Sequence, residues 1–91
     1  MKKENLRSVI QDDFNELLLT GEYCVHHVFP GVSRRRKCEE YGFLVALRPA
    51  MHWEIHNEPN GTIDSMLKDA CKKYWVEHIG TLEDFQLEFR Y

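Results

Sequence analysis

Four of the five histidines in this 91-residue chain fall into two tight groups, His26-His27 and His52-Trp-Glu-Ile-His56. Residues four apart on a helix share a face, so His52 and His56 can reach one ion together. Adjacent residues on an extended strand point to opposite sides, so His26 and His27 cannot share one role if residues 23–29 are a strand. One of the two can bind a metal while the other does chemistry. A single pair of histidines four apart is weak evidence, and the plain alternative is four packed or exposed imidazoles. Two groups in so short a chain favour a transition-metal site.

The residues around these histidines predict an α+β fold. Leu6, Ile10, Phe14, Leu17 and Leu18 recur at helical spacing and Gly21 follows as a stop, which predicts a helix over residues 4–19. Residues 23–29 are rich in aromatic and β-branched side chains, Pro30-Gly31 breaks them, and residues 41–47 form a second apolar run of strand length. Two strands joined by a basic loop are expected, paired as an antiparallel hairpin. Pro49 suits the first turn of a helix that carries Met51, His52, Ile55 and His56 and ends before Pro59-Asn60-Gly61. Beyond it, Ile63, Met66, Leu67, Ala70, Tyr74 and Ile79 make the core stripe of a long helix stopped by Gly80, and Thr81-Leu-Glu-Asp opens a short last helix. The chain reads as one domain over residues 1–91: an N-terminal helical segment at 1–21, a strand, strand, helix core at 22–58 and C-terminal helices at 62–91.

A net charge of −3 argues against a general nucleic-acid coat, because non-specific affinity for DNA comes largely from Lys and Arg on phosphates. Any such binding must be local. Arg34, Arg35, Arg36 and Lys37 supply a basic run close to the first histidines that can receive a phosphate backbone, a solvated charge run being the plain alternative. No apolar run approaches a membrane span, and Met-Lys-Lys leads into an acidic amphipathic segment rather than a signal sequence, so a soluble cytoplasmic protein is expected. Cys24, Cys38 and Cys71 are odd in number and form no close pair, which predicts reduced, partly buried thiols. At this length a hydrophobic core alone gives marginal stability, and a bound ion would add to it. His78, near the end of the long helix, suits the helix dipole and is left outside the site.

The ordered pieces His26-His27-Val28-Phe29-Pro30-Gly31, Arg34 to Lys37, Glu40-Tyr41-Gly42, Leu47-Arg48-Pro49, and the tail from Lys72-Lys73-Tyr74 through Glu83-Asp84-Phe85 resemble small phage-encoded HNH-like proteins. Their ββα-metal motif has the histidine arrangement of colicin-type DNase toxins. The likeness runs from about Glu22 to Tyr91. It implies His26, His52 and His56 as ligands of one divalent ion, His27 as the general base that activates water, and DNA as the substrate, in the cytoplasm of a bacterial host. In such a site the ion polarises the scissile phosphate while a near-neutral imidazole takes the proton of the attacking water. Three neutral imidazoles favour zinc or nickel over magnesium, with manganese a further alternative.

The chain departs from that pattern in two places. Arg48 and Met51 stand where HNH-like proteins of this sort often carry the cysteines of a structural zinc knuckle, and only Cys24 lies near the upstream pair. The motif's central Asn, which orients the base, falls near Phe43. These departures open a second reading, a catalytically silent zinc metalloprotein that binds and inhibits a host defence nuclease such as a CRISPR effector, in the manner of anti-CRISPR proteins. Trp53, Trp75, Glu54, Glu58, Asp84 and Glu88 are then the candidate contact residues, core packing being the plain alternative for the tryptophans and solvation for the acids.

Overall fold

Ser8 Oγ accepts the N–H groups of Ile10 and Gln11 at 3.2 and 3.0 Å, capping the first turn of the segment that follows it. The computed structural model describes residues 8–17 and 22–91, so Leu6, Leu18 and Gly21 of the expected N-terminal helix lie outside the described residues. Within them the chain forms a 3-10 helix, Gln11–Leu17, broken at Phe14 (φ −128°, ψ 19°), rather than a continuous α-helix. Ile10 and Phe14 still enter the core as their spacing predicts. The Gln11 side-chain amide pairs with both backbone groups of buried Ala46, accepting its N–H at 2.7 Å and donating to its carbonyl at 3.2 Å.

Strand β1, Cys24–His27, pairs antiparallel with β2, Leu44–Leu47, in the register Cys24↔Leu47, Val25↔Ala46, His26↔Val45 and His27↔Leu44. All of β2 is buried, which accounts for its unbroken apolar run. The expected basic loop between the strands is instead a helix, α1, Val32–Tyr41. Arg, Lys and Glu are good helix formers, but Cys38 alone of these ten residues is buried, so the helix carries no apolar periodicity by which to announce itself. Gly42 ends it at φ 80° and ψ 24°, the left-handed conformation that glycine adopts without steric cost.

Helix α2, Pro49–Asn57, begins with Pro49 in its first turn, as expected. Helix α3, Thr62–His78, follows, and Thr81 opens α4, Leu82–Phe89, with a capping box in which Thr81 Oγ1 accepts the Asp84 N–H at 3.1 Å. The buried stripe of α3 is rotated from the expected one: Leu67, Cys71 and Trp75 are buried, whereas Met66 and Ile79 are 50% and 41% exposed. Phe29, Phe43, Phe85 and Phe89 are all fully buried and in ring contact. Each such ring contributes roughly 1.5–3 kcal/mol by burial, and together they anchor the hairpin to α4. Cys38 and Cys71 are buried, Cys24 is half-buried, and all three are free thiols. Among the described residues no helix is long and apolar enough to cross a membrane.

Candidate metal centre

His26 is the one buried residue of β1, and its Nε2 is buried with no hydrogen-bond partner. Helix α2 packs on β1 and carries His52 and His56 one turn apart, with their Nε2 atoms 3.1 Å from each other. The His26 ring stands edge-on to both, its centroid 5.3 Å from that of His52 and 6.0 Å from that of His56. One nitrogen from each of the three rings lies within 4.8 Å of the others.

The donor set fits an ion. Two imidazole nitrogens on a tetrahedral zinc, each about 2.0–2.1 Å from it, are about 3.3 Å apart, close to the spacing His52 and His56 already have. An orphaned buried nitrogen such as His26 Nε2 costs about 1–3 kcal/mol unless something satisfies it. Burial, reinforced by the neighbouring His52, pushes the His26 imidazole down to about 4. Burial and His56 lower His52 as well. Both rings are thereby held neutral, the form that ligates. Cys24 stands outside this cluster.

The three rings open onto a cleft of about 470 Å³ that His27, Arg35, Asp64 and Lys68 also line. His27 is half-buried, with its Nε2 3.2 Å from Glu39 Oε1 on α1. Of the basic run only Arg35 reaches this cleft. Lys37 turns away to Glu88, its Nζ 2.9 Å from Oε2 and 3.0 Å from the carbonyl oxygen, while Arg34 is half-buried and Arg36 exposed. A helix turns 100° per residue, so α1 spreads the four cations around its circumference where a loop could have kept them together.

Phe43, near which the resemblance would put an Asn, is fully buried among aromatic rings and does not line the cleft. Trp75 is core, at 4% exposure, whereas Trp53 is 70% exposed on α2. Glu54 and Glu58 are exposed, Asp84 serves the cap of α4, and Glu88 holds Lys37. His78 sits in the last turn of α3, as expected, with its ring 4.5 Å from that of Tyr74. Asp64 and Lys68 escaped the sequence reading because they sit within the apolar stripe of α3. Their one signal is the opposite charges four residues apart.

No protein-family model matches this chain, and no curated protein or solved structure matches it either. Fold and site together define an α+β protein with an antiparallel hairpin and three histidines close enough to hold a metal ion.

Proposed function

We propose that this chain is an HNH-like, metal-dependent DNA endonuclease that holds one zinc-class ion on His26, His52 and His56. The observation that carries the reading is the convergence of three imidazole nitrogens within 4.8 Å of one another on a cleft that His27 also lines. When bound, the ion supplies Lewis acidity toward the phosphoryl group and the leaving oxygen. Glu39 accepts the hydrogen on His27 Nε2, which leaves Nδ1 as the proton acceptor for an attacking water. A carboxylate on one imidazole nitrogen fixes the tautomer and the orientation of the ring. In this reading Glu39 fills the orienting role of the Asn that the resemblance puts near Phe43. Arg35 brings to the same cleft a guanidinium able to grip phosphate through two parallel hydrogen bonds.

Two observations favour a second reading. Phe43 is buried where the motif needs an amide, and Trp53 is 70% exposed on the helix that carries two of the ligands. In that reading the ion is structural and the chain inhibits a host defence nuclease by binding it, as anti-CRISPR proteins do. The deciding experiment is plasmid nicking by chelator-stripped protein resupplied with zinc, nickel, manganese or magnesium, with His27→Ala run beside the wild type. Metal-dependent cleavage that disappears with His27 establishes the endonuclease. A folded, metal-loaded protein that leaves the plasmid intact refutes it and favours the inhibitor.

A further inference from the structure

Lys68 and Asp64 are nine-tenths buried or more, at 9% and 5% exposure, yet both line the histidine cleft. A buried ion pair is a poor source of stability: desolvation costs several kcal/mol per ion, and apolar residues of similar volume often serve as well or better. A pair kept at the wall of a cleft therefore calls for a reason in the cleft. Its geometry is closely determined. Lys68 Nζ is 3.0 Å from Asp64 Oδ2 and donates to Asn60 Oδ1 at 3.0 Å. The same Asp64 Oδ2 accepts the Asn60 N–H at 2.7 Å, and Asn60 adopts a left-handed φ of 62° to meet it. An ammonium has three N–H donors; Asp64 and Asn60 take two of them, and Nζ also lies 5.8 Å from the centre of the Tyr91 ring, a contact through the ring face that still leaves Lys68 lining the cleft. With a dication on the histidines, the positive charges of the cleft outnumber the carboxylate of Asp64, so the space between them suits an anion.

We propose that Lys68 is a phosphate-contacting residue, its ammonium set by Asp64 and Asn60 to meet a non-bridging oxygen of a phosphate ester seated beside His26, His52 and His56. This rests on the reading of the cleft as a metal-dependent phosphodiester site. Asp64 and Asn60 act through Lys68 and are positioning residues.

The test uses the full chain loaded with cobalt(II), whose visible absorption reports the ligands around it, titrated with inorganic phosphate and followed in parallel by calorimetry. Wild type should show a saturable spectral change. Asp64→Leu/Lys68→Leu removes both charges together, so it strands no buried charge and leaves the net charge of the cleft unaltered. General electrostatics then expects no change in phosphate affinity, whereas loss of a charge-assisted contact weakens it about tenfold or more. If circular dichroism shows this variant unfolded, Asp64→Asn/Lys68→Gln makes the same comparison with a neutral, hydrogen-bonding pair. Phosphate affinity within twofold of wild type in the folded double variant overturns the proposal, as does a cobalt-loaded wild type blind to phosphate. Failure of the wild type to take up cobalt, read before phosphate is added, overturns the metal reading itself and this proposal with it.

Discussion

His26→Leu should stabilise the metal-free protein and abolish its response to zinc. His26 is a buried imidazole, 6% exposed, and its Nε2 has no hydrogen-bond partner from the protein. Leaving such an atom unsatisfied costs about 1–3 kcal/mol, and a leucine of similar size removes that cost while still packing on the hairpin. For a domain of this length each kcal/mol moves the melting temperature by roughly 4–8 °C, so the metal-free variant should melt about 5–15 °C above metal-free wild type. Zinc should invert the order. At free zinc one hundred times its dissociation constant, the wild type gains about 2.7 kcal/mol, or roughly 10–20 °C. The variant keeps only His52 and His56, both on α2, so an ion bound there no longer ties that helix to β1. The assay is thermal unfolding by circular dichroism at pH 7.5, above the ordinary histidine range, so that imidazole protonation does not enter in either state. Equal zinc-induced shifts in wild type and variant, or a metal-free variant that melts well below metal-free wild type, would refute the reasoning.

Three further outcomes are expected. Phe43→Asn, which supplies the amide that the resemblance would put near this position, should cost about 3–5 kcal/mol in urea unfolding, because the ring it removes is fully buried in an aromatic cluster; it should add nothing to any nicking, and a gain in cleavage would contradict the burial of residue 43. A thiol reagent should label Cys24 quickly in the native protein and Cys38 and Cys71 only on unfolding, since burial raises both of the latter thiols and both are inaccessible; a single common rate for all three would count against this packing. Under the proposed endonuclease reading, Arg35→Ala should weaken DNA binding and flatten its salt dependence by about one phosphate contact, while Lys37→Ala, whose ammonium Glu88 already occupies, should bind almost as wild type does; filter binding over a salt series separates the two.

The histidine site is legible in the chain because its chemistry follows local spacing. Residues 52 and 56 share a helix face wherever that helix lies, whereas strand alternation left His26 and His27 as equal candidates until the packing of α2 on β1 set His26 beside them. Pro49 and the Thr81 cap are legible for the same reason, since each acts on the residues next to it. The parts hidden from the sequence are those that tertiary burial decides. Helix α1 buries one residue and so has no stripe to read, and the helical spacing of Ile10 and Phe14 hid a 3-10 segment held by Ser8 and by the bond of Gln11 to a distant strand. Asp64 and Lys68 look like ordinary interruptions of an apolar face until the fold brings them to the cleft.

That hidden half changes what the proposed nuclease would do to its substrate. As a loop, the basic run would offer four cations to successive phosphates; as α1 it brings Arg35 alone to the cleft and leaves Lys37 paired with Glu88. Each phosphate contact contributes nearly one unit to the slope of log affinity against log salt, so a chain of net charge −3 with so few contacts would bind duplex DNA weakly and with a shallow slope. The grip would then concentrate on one phosphate, between the ion, Arg35 and Lys68, rather than extend along the backbone. Specificity in such an enzyme comes from how well a single phosphoryl group can enter a cleft of about 470 Å³, and therefore from the local shape of the strand more than from its base sequence.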